Sequence, residues 1–512
     1  MGSHISRRTA LTLLLSGSAA TARAGRLLAH GMDGSVGPDG LPRPAPETEG
    51  LDPARVLEFL AEVQASRLEL HSFMLARRGK VLAEGWWAPY RPDLRHMMHS
   101  LTKSVTACAV GLALNEGRFH LDDRVVTFFP HVLPSTASAN LRAMTVEHLL
   151  SMRTGHDHMV SGAAWRGIRT SWVAEFFKIP VVYPPGMKFV YTSAATYMLS
   201  AIISKTTGLS TLNYLRPRLF DPLKIGDEDW PPGPEGITPG ANGLSWRTVD
   251  SLKLGLLHAA EGVWRGTRLL PAAWVRSVQQ PHGSDKYGYQ WWLGPGGAYY
   301  ADGLFGQFAI VFPRAQAVLA ITSAVQNDDD LLPVVWKHFS GAFAGESAES
   351  NQQSDARLQH VTADLSLFAP LSPTASPLSA QVSGRRYSIA EHDDGVTAIT
   401  LVFSGDRCVF TLADAQGQHS VSCGLGNWIE GTTTMPGHKL HHEYRPNVMR
   451  VVASGRWVDQ NTFEMVWQFV ETAFRDTVSA RFQGEDLVFD RRVNVNSGAL
   501  SIPTLHGKSA AI

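Results

Sequence analysis

The hydrophobic positions of this chain change period along its length. Val56, Phe59, Leu60 and Val63 recur at i, i+3, i+4 and i+7, the spacing of one buried helix face. Asp52-Pro53 stands just ahead of them, an N-cap followed by proline at the first helical position, so a helix is predicted to start there. Runs at 72–76 and 81–87 flank Arg78-Gly79 and read as a hairpin. From 100 to about 280 the pattern is mostly helical, with loops. Strands at 307–312 and 317–323 follow around Pro313-Arg314, and a helix over 331–343 closes the unit. Strands and helices at both ends with a helical insert predict an α+β fold, an antiparallel sheet flanked by terminal helices with an α-rich lobe beside it.

Residues 344–380 are rich in Ser, Ala, Gln, Asp and Pro and read as a linker. Beyond 381 the period becomes two. Phe463, Met465, Trp467 and Phe469 alternate with polar or smaller residues, and similar runs occur near 398–404, 407–412, 450–458, 475–482 and 486–493. Short strands separated by turn signals predict a small all-β unit over 381–512, a barrel or sandwich. The domain reading is therefore a lead-in over 25–50, an α+β domain over 51–343, the linker, and this β-domain. No internal repeat is evident.

The first 24 residues are of a different kind. Ser6-Arg7-Arg8 precedes an apolar stretch containing Leu11, Leu13, Leu14 and Leu15, then Ala22-Arg23-Ala24. That order is a charged region, a short hydrophobic region and a small-x-small cleavage site, the pattern of a signal peptide. The paired arginines suggest twin-arginine export and a periplasmic or secreted protein. No other apolar run approaches the length of a bilayer span.

Composition narrows the picture further. Forty-six basic and 46 acidic residues cancel, so the basic excess of a phosphate-binding nucleic-acid protein is missing. Three cysteines do not make a disulfide framework; at most Cys408 pairs with Cys423.

The candidate chemistry begins at Ser100-Leu101-Thr102-Lys103, ahead of Val105, Cys108, Ala109 and Leu112 at helical spacing. Three residues apart on a helix, Ser100 and Lys103 share a face. Ser100 falls in the first turn, where unpaired N–H groups favour negative charge. An alcohol attacking a carbonyl needs a proton acceptor and support for the oxyanion, and a buried lysine can be that acceptor when neutral. The second element, Tyr191-Thr192-Ser193, lies between a Pro-Gly loop and a helical run, where a phenol can relay a proton into a cleft. The third, Asp302-Gly303-Leu304-Phe305-Gly306-Gln307, precedes a strand. Its glycines permit close backbone approach, and the Leu304 N–H is a candidate second oxyanion donor. Each element also has a plainer reading: a capping serine with a solvated lysine, a core tyrosine, an ordinary turn.

Together and in this order the three resemble the serine β-lactamase, penicillin-binding protein and esterase superfamily. Further segments carry the resemblance: Glu84-Gly85-Trp86-Trp87, Asp122-Asp123, Glu147-His148-Leu149-Leu150-Ser151-Met152, Thr154-Gly155-His156, Tyr183-Pro184-Pro185-Gly186, Leu270-Pro271-Ala272-Ala273-Trp274-Val275 and Gly288-Tyr289-Gln290-Trp291-Trp292. They resemble the branch of class C-like esterases and 6-aminohexanoate-dimer hydrolases, over roughly residues 50–340. The resemblance implies a serine hydrolase acting on a small ester or amide. In it Ser100 is the nucleophile, Lys103 and Tyr191 are the acid–base pair, the N–H groups of Ser100 and Leu304 form the oxyanion hole, and Ser193 and Gly303 bind substrate. No metal or cofactor is implied.

Two departures bear on substrate. Ser193 replaces a longer amide side chain, and Ala301-Asp302-Gly303 carries no cation where β-lactamases and transpeptidases hold a substrate carboxylate. Both weigh against β-lactam hydrolysis and D-Ala-D-Ala cleavage, which stand as alternatives, as does a penicillin-recognising sensor that acylates without turnover. Trp86, Trp87, Trp291 and Trp292 read either as acyl-pocket lining or as core. The histidine groups His96/His99, His156/His158 and His438/His441/His442 lack a His-Glu-x-x-His framework, and zinc is not expected. The β-domain faintly resembles lipocalin-like barrels appended to some hydrolases of this superfamily.

Overall fold

Asp52 caps the first helix through its carboxylate, which accepts the Ala54 N–H at 2.9 Å. Helix α1 (Pro53–Ala65) buries Val56, Phe59, Leu60 and Val63, the face its periodicity predicts. The computed structural model describes residues 35–343, 352–437, 439–443 and 446–509; the signal segment expected over 1–24 lies outside them. Among the described residues no helix is long and apolar enough to cross a membrane.

The hairpin β1 (Leu70–Arg77) and β2 (Lys80–Trp86) follows α1. The insert then contributes α2 (Thr102–Asn115), α3 (Ser193–Thr207) and α4 (Thr248–Ala259), with shorter helices between. The chain returns through β3 (Trp292–Leu293), β4 (Tyr299–Gly303), β5 (Gln307–Phe312), β6 (Ala317–Ser323) and helix α5 (Leu332–Phe339). These strands form one antiparallel sheet in the order β2-β1-β6-β5-β4-β3. Phe73 opposite Ile321 joins the N-terminal hairpin to the late strands.

Every residue of β1 and β6 is buried, because the sheet is covered on both faces. Phe73, Leu75, Leu319 and Ile321 pack with α1 and α5, while Met74, Ala76, Val318 and Ala320 pack with Val249, Leu252 and Leu256 of α4. Helix α2 is buried from Thr102 to Ala113 and runs through the core of the α-rich lobe.

The segment expected as a linker contains helix α6 (Gln352–Ala363), which packs on α1 and β2 and buries Leu358. The chain after it is tied to both units. Leu367 N–H donates to Ala88 O at 3.0 Å, and Leu371 N–H to Ser454 Oγ at 3.1 Å.

The β-domain comprises β7 (Arg386–Ile389), β8 (Ala398–Ser404), β9 (Arg407–Asp414), β10 (Gly417–Gly424), β11 (Ile429–Thr433), β12 (Met449–Trp457), β13 (Thr462–Phe469), β14 (Arg475–Gln483), β15 (Asp486–Val493) and β16 (Leu505–Ser509). The order β10-β9-β8-β7-β16-β15-β14-β13-β12 closes where β10 pairs with β12 at Gly424 and Ser454, giving a nine-strand barrel on which β11 adds to β12. Phe463, Met465, Trp467 and Phe469 fill its interior, as the period-two pattern predicts. Cys408 and Cys423 stand opposite each other across β9 and β10, both as buried free thiols.

The barrel docks on the α+β domain through polar contacts, some of them buried. Arg475 pairs with Glu69 at 2.7 Å. Tyr90 Oη donates to Thr472 O at 2.7 Å and Met97 N–H to Glu471 O at 2.9 Å. His71 Nδ1 lies 3.0 Å from His96 Nε2 just beneath.

Candidate active site

The turn that carries Ser100 is set by its neighbours. A two-residue strand, His96–Met97, leads into a 3-10 turn over His99–Leu101 and then into α2. His99 adopts φ 45°, a left-handed conformation that costs on the order of 1–3 kcal/mol for a non-glycine residue unless its surroundings enforce it. The enforcement comes from rings packed on its side chain: Phe305 at 5.5 Å, His442 at 5.8 Å and Phe474 at 6.3 Å between centroids. Two of those three belong to the barrel domain. Burial holds the His99 pKa well below the ordinary value, with His442 adding to the effect, so the residue before Ser100 is neutral.

Ser100 is half-buried, and Lys103 is 1% exposed. Lys103 Nζ lies 2.9 Å from Ser100 Oγ, 3.4 Å from Ser193 Oγ and 3.1 Å from Ala241 O. It also lies 4.7 Å from the centre of the Tyr191 ring. Burial lowers the Lys103 pKa from 10.5 to about 7, while the Asp302 carboxylate pulls it upward. Desolvation disfavours the ammonium more than its single anionic neighbour supports it, so near pH 7 a large share of the amine is uncharged.

Tyr191 arrives from the loop ahead of α3. Its neighbour Thr192 is fixed by donating from Oγ1 to Val160 O at 3.0 Å, and the Ser193 N–H donates to Ser161 Oγ at 2.9 Å. The Tyr191 ring packs against Trp292 at 5.4 Å and Tyr287 at 6.1 Å. Burial raises the phenol pKa, and hydrogen bonding toward Ser100 offsets part of that rise. The phenol is thus protonated across the physiological range and directed at the serine.

The turn between β4 and β5 supplies the opposite wall. Gly303 is buried, and a Cβ there would sit 2.1 Å from Met98 O. The glycine therefore lets β4 run directly against the Ser100 turn. In the β4–β5 turn Phe305 N–H donates to Asp328 Oδ1 at 3.2 Å and Gly306 N–H to Gly303 O at 3.1 Å. Among the described residues the N–H groups of Ser100 and Leu304 have no such partner.

Ser100, Ser193 and the Tyr191 ring meet at the Lys103 amine, and Gly303 and Leu304 lie in the turn that faces Met98. Of the four tryptophans only Trp292 packs on Tyr191; Trp291 is core, Trp87 packs on Phe73, and Trp86 lies against the α4 cluster.

Three contributors are not evident from the sequence. Ala241 acts through its carbonyl, which no side-chain pattern reveals. Gln290 is buried and ties elements together: its amide donates to Leu149 O and Leu150 O at 3.2 and 2.8 Å, its Oε1 accepts from Thr196 Oγ1 at 2.7 Å, and its backbone carbonyl accepts from Ser104 Oγ at 2.7 Å. Asp302 was visible only as part of a turn motif, yet its carboxyl bears on Lys103, Tyr191 and Tyr287.

The chain is similar to the 6-aminohexanoate-dimer hydrolase of Paenarthrobacter ureafaciens, 25% identical over 316 residues that cover 56% of this chain and 79% of that protein. Among solved structures it is similar to a penicillin-binding protein homolog from Caulobacter crescentus, at 20% identity and TM-score 0.47, over 57% of this chain and 97% of that one. It is also similar to the octameric penicillin-binding protein homologue from Pyrococcus abyssi, at 13% identity and TM-score 0.45, over 90% of this chain and 100% of that one. The family model described as Beta-lactamase matches residues 63–334. That match takes in more than half of the chain, including the Ser100 turn, the Tyr191 loop and the β4–β5 turn, and so the chain belongs to the Beta-lactamase family.

Proposed function

We propose that the protein is a serine hydrolase that cleaves an ester or amide through an acyl-enzyme on Ser100, an esterase or an amidase of the 6-aminohexanoate-oligomer type. The observation that carries this reading is the 2.9 Å approach of the enclosed Lys103 amine to Ser100 Oγ, with the amine held near neutrality. Neutral Lys103 accepts the Ser100 proton as Oγ attacks the substrate carbonyl. The N–H groups of Ser100 and Leu304 receive the oxyanion, each contributing ~3 kcal/mol to the transition state. Tyr191 passes a proton to the departing alcohol or amine, with Ser193 supporting the relay. Water then cleaves the acyl-enzyme with Tyr191 or Lys103 as base.

The named relative, a 6-aminohexanoate-dimer hydrolase, supports an amide bond between small units as a substrate class. The Arg7-Arg8 segment supports export to the periplasm or beyond. The docking of the barrel on His99 supports a role for that domain in shaping the nucleophile turn.

The test is turnover of a short-chain p-nitrophenyl ester by the wild type and by Ser100→Ala, alongside fluorophosphonate labelling. Turnover lost in the variant and a covalent adduct on Ser100 are expected; undiminished turnover sinks the reading. A parallel panel with nitrocefin, a D-Ala-D-Ala peptide and a linear 6-aminohexanoate dimer separates the substrate classes, and nitrocefin as best substrate would overturn the ester or amide assignment.

A further inference from the structure

The cleft contains a carboxyl group that the proposed mechanism does not use. Asp302 sits on β4, two residues before the Leu304 N–H. The residue is partly exposed, but its Oδ1 is enclosed and has no hydrogen-bond partner among the described residues. An enclosed carboxyl oxygen left unpaired is costly, and folds retain such groups mainly where something else meets them.

The surroundings indicate what that is. The charged groups bearing on Asp302 are Asp328, Lys103 and Asp329, two carboxyls against one amine. Lys103 is already engaged by Ser100, Ser193 and Ala241, and Asp328 by the Phe305 N–H. Burial and Asp328 together raise the Asp302 pKa well above the carboxylate range, so the groups around it support its charged form poorly, and an incoming cation would restore that form. Asp302 bears on Tyr191 and Tyr287, and Trp292 closes on Tyr287 at 4.9 Å and on Tyr191 at 5.4 Å. Aromatic faces beside a carboxylate are the surroundings that hold an ammonium group, through ring quadrupole and charge together.

From this we infer that Asp302 is a specificity-determining residue that selects substrates whose leaving group carries an ammonium. The leaving-group side follows from Tyr191, the donor to the departing atom and the phenol on which Asp302 bears. The inference rests on the proposed Ser100 hydrolase reading.

The test uses two thioesters with the same acetyl group and nearly the same shape, acetylthiocholine and S-(3,3-dimethylbutyl) thioacetate, which differ by a cationic nitrogen in place of carbon. Thiol release gives kcat/KM for each. The wild type is expected to prefer the cationic ester by ~10-fold or more at low salt, and Asp302→Asn to collapse that ratio toward one; a general loss of activity in the variant cancels in the ratio. A second readout needs neither turnover nor a substitution. Tetramethylammonium should slow fluorophosphonate labelling of Ser100 in the wild type, and tert-butanol at the same concentration should not. Equal or better cleavage of the neutral ester, a ratio unchanged in Asp302→Asn, or equal protection by the two small molecules overturns the assignment of Asp302 while leaving the hydrolase reading intact. Failure of Ser100 to label, with turnover retained in Ser100→Ala, removes both.

Discussion

Gly303 runs beneath the carbonyl of Met98, so close that a β-carbon would lie 2.1 Å from that oxygen. The contact fixes the distance between the two turns that present the N–H groups of Ser100 and Leu304, unpaired among the described residues. It makes the geometry of the cleft depend on a missing side chain. Gly303→Ala is therefore expected to push β4 away from the Ser100 turn. A backbone shift of this kind costs about 1–3 kcal/mol of stability, and a displaced oxyanion donor costs ~100-fold in kcat. Denaturant unfolding and ester kinetics on the same preparation measure the two effects; wild-type kcat in this variant would refute the link.

The pH profile should report Lys103. In the proposed mechanism only its neutral form accepts the Ser100 proton, so kcat/KM is expected to rise with pH and to reach half its plateau at about 7. Desolvation sets this value, so a rising limb centred at the ordinary lysine value, or none at all, contradicts the neutral-amine reading.

Tyr191→Phe keeps the ring that packs on Trp292 and Tyr287 and deletes the phenolic proton. Loss of a positioned acid–base group costs about 100- to 10,000-fold. The thermal midpoint should change little beside that. Activity within a few-fold of wild type would remove Tyr191 from the proton relay.

Gln290 should matter for stability before it matters for chemistry. Gln290→Ala strands the carbonyls of Leu149 and Leu150 and the hydroxyl of Thr196, and each buried group left unpaired costs about 1–3 kcal/mol. Denaturant unfolding should show the loss directly; a midpoint equal to wild type would mean that these groups find other partners.

The seam between the domains should weaken in acid. Burial lowers the pKa of His71, and it brings His96 from 6.5 to about 3. Both side chains take up a proton more readily when unfolded, so the stability they contribute is complete above about pH 6.5 and is lost as pH falls toward 3. Thermal unfolding between pH 7 and pH 4 should show this slope, and His96→Gln should flatten it. An equally steep slope in the variant would place the acid sensitivity elsewhere.

Much of this protein was legible in its residues. The i, i+3, i+4, i+7 face of α1, the β1–β2 hairpin and the β5–β6 pair follow from periodicity, because one-sided burial imposes a period on the chain. The barrel strands around Phe463–Phe469 follow for the same reason. The strands Gly417–Gly424 and Ile429–Thr433 did not stand out, since small and polar residues occupy many of their positions and the contrast between faces is weak. The segment 352–363 was hidden too, its composition polar apart from the few side chains such as Leu358 that touch α1. Ser100 and Lys103 were legible as a pair because helix geometry alone brings them to one face.

What the sequence could not determine is everything that depends on residues distant along the chain. The carbonyl of Ala241 reaching Lys103, the barrel rings enclosing His99, and the depth of burial that brings an amine to about 7 all arise from packing. Asp302 shows the difference most plainly. In the sequence it is one acidic residue in a turn, whereas in the folded protein it is a carboxyl with one enclosed, unpartnered oxygen whose charge bears on Lys103 and Tyr191. A local pattern determines which face a side chain takes; only the assembled chain sets the dielectric and the neighbours that decide its charge.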